Sequence, residues 1–347
     1  MKKLVSLFIL LALSLSLLTS CKSDDPKSET TYDYFNTICT IRSYNGESKA
    51  EFEQNASKFL IMLEKYHKLF DIYYEYSGVT NICTINKNAG KEPVRASREL
   101  IDLLLYSKEM YTLTNGKVNI AMGAVLKLWH DKREAATITN IIPTLPSHDD
   151  LTYASAHTDI DNLIIDEENL TVFLSDPAMS LDVGAIAKGY VAEKIAEYFI
   201  DSGITGYVID LGGNLRTIGK KASGEGWVTG IKNPTANTDT PYVAKIKLAD
   251  TACVTSGDYE RYYTVGGKRY HHIIDTDTLY PSVYFSSVTI VTPDSAIADV
   301  LSTALFCMNE EEGRALLDSF ADVEVMWVYH NGGISYTDGL GEILINV

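Results

Sequence analysis

An aspartate and a threonine spaced four residues apart form the clearest pair of oxygen ligands in this sequence. Asp299 and Thr303 lie in a stretch with apolar periodicity, residues 293–305, which predicts a helix. Side chains at this spacing lie one above the other on a helix face. Mg²⁺ prefers such hard oxygen ligands and completes its shell with phosphates and water. The pair therefore permits a magnesium site, although by spacing alone a solvated helix face is the better interpretation.

A second segment has the features of a phosphate-binding helix start. Residues 180–190 read SLDVGAIAKGY, with Asp182 at the predicted N-cap of the helix. The small residues Gly184 and Ala185 allow a ligand to approach the first turn, where free N–H groups attract anions. Lys188 adds a full positive charge within one turn. Ordinary capping with tight packing explains the same residues and, taken alone, is the better interpretation.

Two further candidates lie in β-rich segments. Gly212-Gly213 stands between two predicted strands, where it permits close approach of a ligand or simply forms a hairpin. It belongs to neither a Walker loop nor a GxGxxG motif. His271 and His272 are adjacent, so on a strand their side chains point to opposite faces. One of them could donate or accept a proton, and a purely structural histidine is an equally good interpretation.

Composition excludes several classes of protein. Of the 347 residues, 46% are hydrophobic and 22% are charged, which is ordinary globular usage and not that of a disordered, collagen-like or polytopic membrane protein. With 30 basic and 46 acidic residues, the net charge is −16. No concentrated basic region is present, so nucleic-acid binding is not expected. An anionic ligand would need local cations or a metal ion.

The N-terminus predicts export and lipid attachment. Residues 1–20 combine a basic start with an apolar run, Leu4 to Leu18, that suits a signal peptide. The run ends in Leu18-Thr19-Ser20-Cys21, which resembles the bacterial lipobox and would make Cys21 the lipidated residue. An ordinary signal peptide with a chance cysteine is the alternative. We expect residues 21–33 to form a flexible tether and the protein to be anchored to the bacterial membrane outside the cytoplasm.

Residues 34–347 are predicted to form one catalytic domain of the α+β class. Each remaining cysteine, namely Cys39, Cys83, Cys253 and Cys307, is expected to be buried, and one disulfide is possible. Helices are predicted at 48–71, after Ser97, from Ser147, at 184–202 and at 294–308 and 310–320. Strands are predicted at 34–44, 162–166, 170–174 and through most of 205–292, where Gly266-Gly267 forms a hairpin turn.

Four segments, taken together and in this order, resemble the bacterial FAD:protein FMN transferase (ApbE) family, whose members are often lipoproteins. They are SLDVGAIAKGY (180–190), IDLGGNLRTIG (209–219), TSGDYERYY with YHHIID (255–275), and SAIADVLSTAL (295–305). The resemblance extends from about Thr31 to the end. It implies an ApbE-like (T-fold-like) mixed α/β body with an antiparallel sheet and packed helices.

The resemblance also implies an activity. Members of this family carry out Mg²⁺-dependent transfer of the FMN moiety of FAD to a Thr or Ser hydroxyl of a flavoprotein, forming a phosphoester and releasing AMP. The acceptor would be a redox-complex subunit or an extracellular electron-transfer flavoprotein. Hydrolysis of FAD to FMN and AMP remains an alternative. A surface lipoprotein that only binds flavin, or one with only structural interactions, also remains open.

The resemblance assigns site residues by position. The metal ligands would be Asp299, Thr303 and the backbone carbonyl of Ala185. Asp299 and His272 would act in catalysis. Residues 117–119 would form a strand in contact with FAD. The full set of implied FAD contacts is Tyr73, Lys117, Val118, Asn119, Asp182, Lys188 and Ile273. The sequence departs from many relatives at Phe35-Asn36-Thr37, where they carry Met-Gly-Thr.

Overall fold

A computed structural model describes residues 26–235 and 240–345. The predicted signal peptide (1–20), the predicted lipidation site Cys21 and residues 22–25 of the predicted tether lie outside the described residues. Within the described residues, no helix is both long enough and apolar enough to cross a membrane.

An eight-stranded antiparallel sheet forms the centre of the fold. Its strands, in the order in which they lie side by side, are β1 (Lys27–Thr31), β2 (Cys39–Ser43), β6 (Tyr207–Leu211), β7 (Asn214–Ile218), β10 (Ala252–Gly257), β13 (Ser287–Thr292), β14 (Glu324–Val328) and β15 (Ile334–Tyr336). Strand β13 is buried along its whole length. The sheet is therefore covered on both faces at its centre.

Alternation of side chains along the strands divides the core between these two faces. Ile209, Val254 and Ile290 point to the face covered by helices α6 (Ala187–Asp201) and α7 (Ser295–Phe306). Their neighbours Val208, Cys253 and Val291 point to the other face. A three-stranded sheet covers that side, formed by β8 (Trp227–Lys232), β9 (Tyr242–Leu248) and β16 (Leu344–Ile345).

The remaining elements complete the fold around these layers, and the helix at Asp338–Ile343 packs on the side of the three-stranded sheet. The helices are α1 (Lys49–Phe70), α2 (Ile82–Lys87), α3 (Arg98–Leu113), α4 (Gly123–Ala135), α5 (His148–Ser155), α8 (Glu310–Leu317) and α9 (Asp338–Ile343). The strands are β3 (Val94–Arg95), β4 (Leu163–Asp166) and β5 (Thr171–Leu174) in one small sheet, and β11 (Tyr262–Val265) with β12 (Lys268–His271) in a hairpin. The predicted mixed α/β body with an antiparallel sheet and packed helices is confirmed.

Several predicted elements form where the sequence placed them. Ser97 and Ser147 cap α3 and α5, because each hydroxyl accepts a hydrogen bond from a main-chain N–H of the first turn. The hairpin turn at Gly266-Gly267 is also present, and both glycines have positive φ, of 57° and 82°. All four predicted core cysteines are buried and free, so they form no disulfide with one another.

The predicted tether and the predicted first strand have the wrong boundaries. The predicted tether, residues 22–33, contains strand β1, which pairs with β2 from Lys27 opposite Ser43 to Thr31 opposite Cys39. The strand predicted at 34–44 is shorter and begins at Cys39. Phe35 and Asn36 have φ of 54° and 50°, which a strand cannot accommodate. The exposed residues of this edge strand are polar, and a flexible linker has the same composition. Composition therefore does not distinguish the two.

A buried ion pair joins the two central helices to the sheet. Arg216 of β7 donates to both carboxylate oxygens of Glu193 in α6, at 2.9 and 3.1 Å. The same carboxylate accepts the main-chain N–H of Ser295 at the start of α7, at 2.7 Å. Both side chains of the pair are buried. The pair therefore sets the relative position of α6, α7 and β7.

We expect Glu193→Ala to lower the free energy of unfolding by about 3–5 kcal/mol, because Arg216 would keep its buried charge without its main partner. Glu197→Ala is the matched control on the same helix, since Glu197 pairs with Lys194 at the surface, and its effect should stay within about 0.5 kcal/mol. Urea unfolding followed by circular dichroism measures both. Equal losses in the two variants would contradict the structural role of the pair.

Candidate active site

One cavity of about 540 Å³ collects the predicted site residues. It lies where α6, α7 and the β6–β7 turn meet the loops before β2 and after β12. Its size is within the usual range for a site that binds a small molecule. The sequence-predicted residues on its wall are Tyr73, Lys117, Val118, Asn119, Asp182, Ala185, Lys188, His272, Ile273, Asp299 and Thr303.

Asp299 is buried between α6 and α7. Its side chain does not lie on a solvated helix face, because only 4% of the residue is exposed. One carboxylate oxygen accepts the main-chain N–H of Gly189 at 2.8 Å, and the other lies 3.8 Å from the ammonium of Lys188. The interpretation of this position as part of a solvated helix face is therefore wrong. The apolar stripe of α7 did not reveal this, because a second helix covers its polar face.

Glycine at position 189 allows this contact. A Cβ atom there would overlap the Cβ of Asp299 and the carbonyl oxygen of Ser295. Any larger residue would push α6 and α7 apart. The Gly189 N–H donates to Asp299 and not to the carbonyl of Ala185, four residues earlier. The Ala185 carbonyl is thus left out of the regular helical pattern, on the cavity wall.

Asn214 completes the surroundings of Asp299. It is buried at the start of β7, directly after the Gly212-Gly213 turn. With its amide nitrogen facing Asp299, it donates to the carboxylate at 3.1 Å and its oxygen accepts from Lys188 at 3.3 Å. Burial raises the pKa of Asp299, while Lys188 and the Gly189 N–H oppose this rise. These partners favour the charged carboxylate that a metal ion requires.

The donor set suits Mg²⁺ better than a metal held by a protein cage. The described residues contain no cluster of three or more His, Cys, Asp or Glu side chains arranged for a metal. The available oxygens are the Asp299 carboxylate, the Thr303 hydroxyl and the Ala185 carbonyl, all on the cavity wall. A single carboxylate with few neutral oxygens is the type of site that Mg²⁺ occupies together with substrate phosphates.

Asp182 does not cap the helix. Helix α6 begins at Ala187, so Asp182 precedes it by a full turn of irregular backbone. The carboxylate of Asp182 accepts the N–H of Gly184 at 2.8 Å, and the Asp182 N–H donates to the carbonyl of Ile120. Burial raises the pKa of Asp182, against the opposing effect of nearby cations. The side chain therefore shapes the turn that carries Ala185 to the cavity.

The two adjacent histidines face opposite directions, as predicted. His271 lies in the core, where its Nε2 is 2.8 Å from the carbonyl of Ser282 and its ring packs edge-on against Phe306. His272 faces the cavity, and its buried Nδ1 has no hydrogen-bond partner among the described residues. Burial, with a further effect of Arg261, lowers the pKa of His272 to about 3. His272 is therefore a neutral imidazole that can accept a proton.

Residues 117–119 form a bend and not the predicted strand. Lys117 pairs with the carboxylates of Asp275 and Asp277, at 3.0 and 2.8 Å. Although burial acts to lower it, these carboxylates raise the pKa of Lys117. The Asn119 amide donates to the Thr158 carbonyl and accepts from the Ala121 N–H. The side chains of Lys117 and Asn119 therefore stabilise the loop through these contacts.

Tyr73 lies at the rim of the cavity and is 49% exposed. Its main-chain N–H donates to Asp71, which orders the turn that carries it. Its ring lies 5.5 Å from that of His130, at an angle of 38°. Burial raises the pKa of Tyr73, so the phenol stays neutral. A neutral aromatic surface of this kind suits a planar ligand.

Sequence reasoning missed several residues on the cavity wall. Asn214 followed a recognised turn, and its position next to Gly213 was the available signal. His130 and the arginines Arg133 and Arg261 also line the cavity. His130 and Arg133 lie in α4, which no sequence motif marked. Arg261 lies in the quoted segment TSGDYERYY, but no role was assigned to it.

A family model described as the ApbE family matches residues 35–327. The chain is 32% identical over 283 residues to the FAD:protein FMN transferase of Klebsiella pneumoniae, covering 81% of this chain and 84% of the relative. It is 30% identical over 318 residues to that of Treponema pallidum, covering 88% and 85%. The ApbE protein of Thermotoga maritima shares its fold with a TM-score of 0.80 and 27% identity, covering 93% of this chain and 100% of that one.

The lowered pKa of His272 predicts a pH dependence of stability. In the unfolded chain His272 takes up a proton below pH 6.5, whereas in the folded chain it stays neutral down to about pH 3. The unfolded state therefore binds more protons as the pH falls, and stability is lost. Relative to His272→Gln, the wild type should lose about 2 kcal/mol more between pH 7 and pH 5. Urea unfolding at both pH values tests this, and parallel losses would contradict it.

Proposed function

The chain belongs to the ApbE family, and from this premise we propose that it transfers the FMN part of FAD to a hydroxyl group of an acceptor protein. The relatives named FAD:protein FMN transferase support this activity over most of the chain. The bond formed would be a phosphoester with a threonine or serine side chain, and AMP would be the leaving group.

One observation carries the proposal. A buried carboxylate, Asp299, lies beside a lysine ammonium and the first turn of α6, on the wall of a cavity large enough for a nucleotide. A buried carboxylate with such partners is common in structural networks, but here the Thr303 hydroxyl and the Ala185 carbonyl share the same wall. This combination matches the needs of phosphoryl transfer, which depends on positioning and charge neutralisation.

Mg²⁺ is the metal that we propose for this wall. Asp299, Thr303 and the carbonyl of Ala185 would hold it, and when bound it would polarise the phosphoryl oxygens of FAD as a Lewis acid. Lys188 would neutralise phosphate charge from the α6 side. Asn214 orients both Asp299 and Lys188, so it acts as a positioning residue.

His272 supplies a base for the acceptor hydroxyl. In the transfer, the hydroxyl oxygen bonds to the phosphorus on the FMN side while the bond to the AMP phosphate breaks. The hydroxyl proton must leave during this step. His272 is neutral and has a buried nitrogen without a partner among the described residues, so it can take that proton. Ile273 and Met122 add apolar surface to the same cavity.

The acceptor and the location of the reaction are also proposals. The lipobox-like segment ending at Cys21 supports a lipid anchor, with the catalytic domain facing away from the cytoplasm. An acceptor flavoprotein at the same membrane surface, such as a redox-complex subunit or an extracellular electron carrier, would then meet the open side of the cavity.

We expect Asp299→Ala and Thr303→Ala to abolish Mg²⁺-dependent transfer, since each removes an oxygen ligand. Purified protein would be incubated with FAD, Mg²⁺ and an acceptor flavoprotein that exposes a threonine. Intact-protein mass spectrometry would follow the acceptor, and chromatography would follow AMP. Because Asp299→Ala also leaves the buried Gly189 N–H unpaired, Asp299→Asn is the matched variant that keeps this bond.

The outcomes separate the candidate activities. An acceptor heavier by one FMN, only with Mg²⁺, supports transfer. Free FMN and AMP with an unmodified acceptor would instead indicate hydrolysis. If FAD stays intact in every reaction, a protein that binds flavin without catalysis would be the better account. Full activity in Asp299→Asn and Thr303→Ala would remove the metal assignment.

Cys21→Ser should release the protein from the membrane fraction without changing its activity, because the substitution removes only the acylated sulfur. Fractionation of expressing cells, with metabolic labelling by a fatty acid, would measure this. Ser20→Ala is a neighbouring control that keeps the cysteine. Membrane association and labelling that persist in Cys21→Ser would contradict the proposed anchor.

A further inference from the structure

Two arginines that play no part in the steps above face the same cavity as Lys188. Arg133 lies in the last turn of α4, and Arg261 lies between β10 and β11. We propose that Arg133 and Arg261 together bind a phosphate group of the nucleotide substrate, at a position separate from Lys188 and Asp299. This inference rests on the proposed function, since it concerns the same cavity and substrate.

Arg133 is partly buried, and its one carboxylate partner lies at the limit of ion-pair distance. Its side chain is 19% exposed, and its Nε lies 3.9 Å from the carboxylate of the adjacent Glu134. Among the described residues, its guanidinium makes one hydrogen bond, from Nη2 to Nδ1 of His130 at 2.9 Å. A guanidinium has five N–H donors, and leaving most of them unpaired while partly buried is costly. The remaining donors are available to a ligand in the cavity.

Arg261 is held at the rim by a neutral partner. Its Nη2 donates to the carbonyl of Asn36 at 3.2 Å, and within the described ranges it forms no ion pair. The left-handed backbone at Phe35 and Asn36 shapes the loop that presents this carbonyl beside the cavity. The contact therefore positions the guanidinium without neutralising its charge.

The two guanidinium groups influence each other. Burial lowers the pKa of Arg133, Glu134 acts to raise it, and repulsion from Arg261 acts to lower it. Asp182 lies on the same wall, but it forms no ion pair with either arginine among the described residues. Glu260, next to Arg261 in sequence, pairs with Lys232. The carboxylates of Asp182 and Glu134 act on these charges only from a distance or through a long contact. Two like charges that are offset so weakly are an arrangement that a bound anion would stabilise.

Phosphate is the anion that best fits this pair. The planar guanidinium fork binds phosphate oxygens in bidentate fashion. A dinucleotide has two phosphates, and Lys188 already shares Asp299 and Asn214 with the proposed metal wall. The arginines come from other elements and can therefore hold the second phosphate. The phosphate could be that of the AMP half or that of the FMN half, which the experiment distinguishes.

The test measures binding of AMP, FMN and riboflavin to the full chain by calorimetry or flavin fluorescence, without turnover. Arg133→Gln and Arg261→Gln should each lower the affinity for either AMP or FMN by about tenfold or more. The reason is that a charge-assisted hydrogen bond contributes about 1.5–3 kcal/mol. Riboflavin, which has no phosphate, should bind within about twofold of wild type. The ligand that loses affinity identifies the phosphate.

Arg42→Gln is the matched control, since Arg42 is exposed on β2 and does not line the cavity. It should leave all three affinities unchanged, and urea unfolding would verify that each variant is folded. Equal losses for riboflavin and FMN would overturn the inference, because the arginines would then contact the ring or shape the cavity. Unchanged affinities in both arginine variants would also overturn it. If the affinities are unchanged but the wild-type protein still transfers FMN, the proposed function stands and only the role of the arginines fails. If the wild-type protein binds none of the three ligands, both the proposed function and the role of the arginines fail.

Discussion

The contact between Gly189 of α6 and Asp299 of α7 determines the geometry of the site. Two helices approach closely enough for a main-chain N–H of one to reach a carboxylate of the other, because position 189 has no side chain. The same contact draws Lys188 towards Asp299 and turns the Ala185 carbonyl away from the helical pattern. The buried Glu193–Arg216 pair fixes the same helices to β7. The positions of both carboxylates, Glu193 and Asp299, thus depend on the same two helices, α6 and α7.

The cavity contains positively charged residues although the chain as a whole is negatively charged. The protein has a net charge of −16, yet Lys188, Arg133 and Arg261 all line the cavity. An acidic surface repels nucleotides, so local cations, with the proposed Mg²⁺, must supply the attraction inside the cavity. Partial burial of Lys188 and Arg133 strengthens their effect on a bound phosphate, because less water screens them.

The hairpin β11–β12 and its following residues place two identical side chains in different environments. His271 closes a core contact with Phe306 and the Ser282 carbonyl, whereas His272 faces the cavity. His271 is the last residue of β12 and the chain bends at His272, so the two side chains leave the backbone in different directions. The surrounding cations and burial then keep His272 neutral, which suits a base and not an acid.

The sequence by itself determined the local properties of this protein. Serine caps, the glycine hairpin, the direction of the two histidines and the α+β class all follow from interactions between residues close along the chain. Four motifs in order also identified the family resemblance, and they contain Asp182, Lys188, His272 and Asp299, which line the cavity. Only the tertiary structure decided that Asp299 is buried, that Asp182 shapes a turn ahead of α6, and that Arg133 and Arg261 share a wall with Lys188. The burial of Asp299 depends on its contact with Gly189, 110 positions away, and the two arginines reach the cavity from separate segments of the chain. No local periodicity or propensity specifies which distant segments will meet.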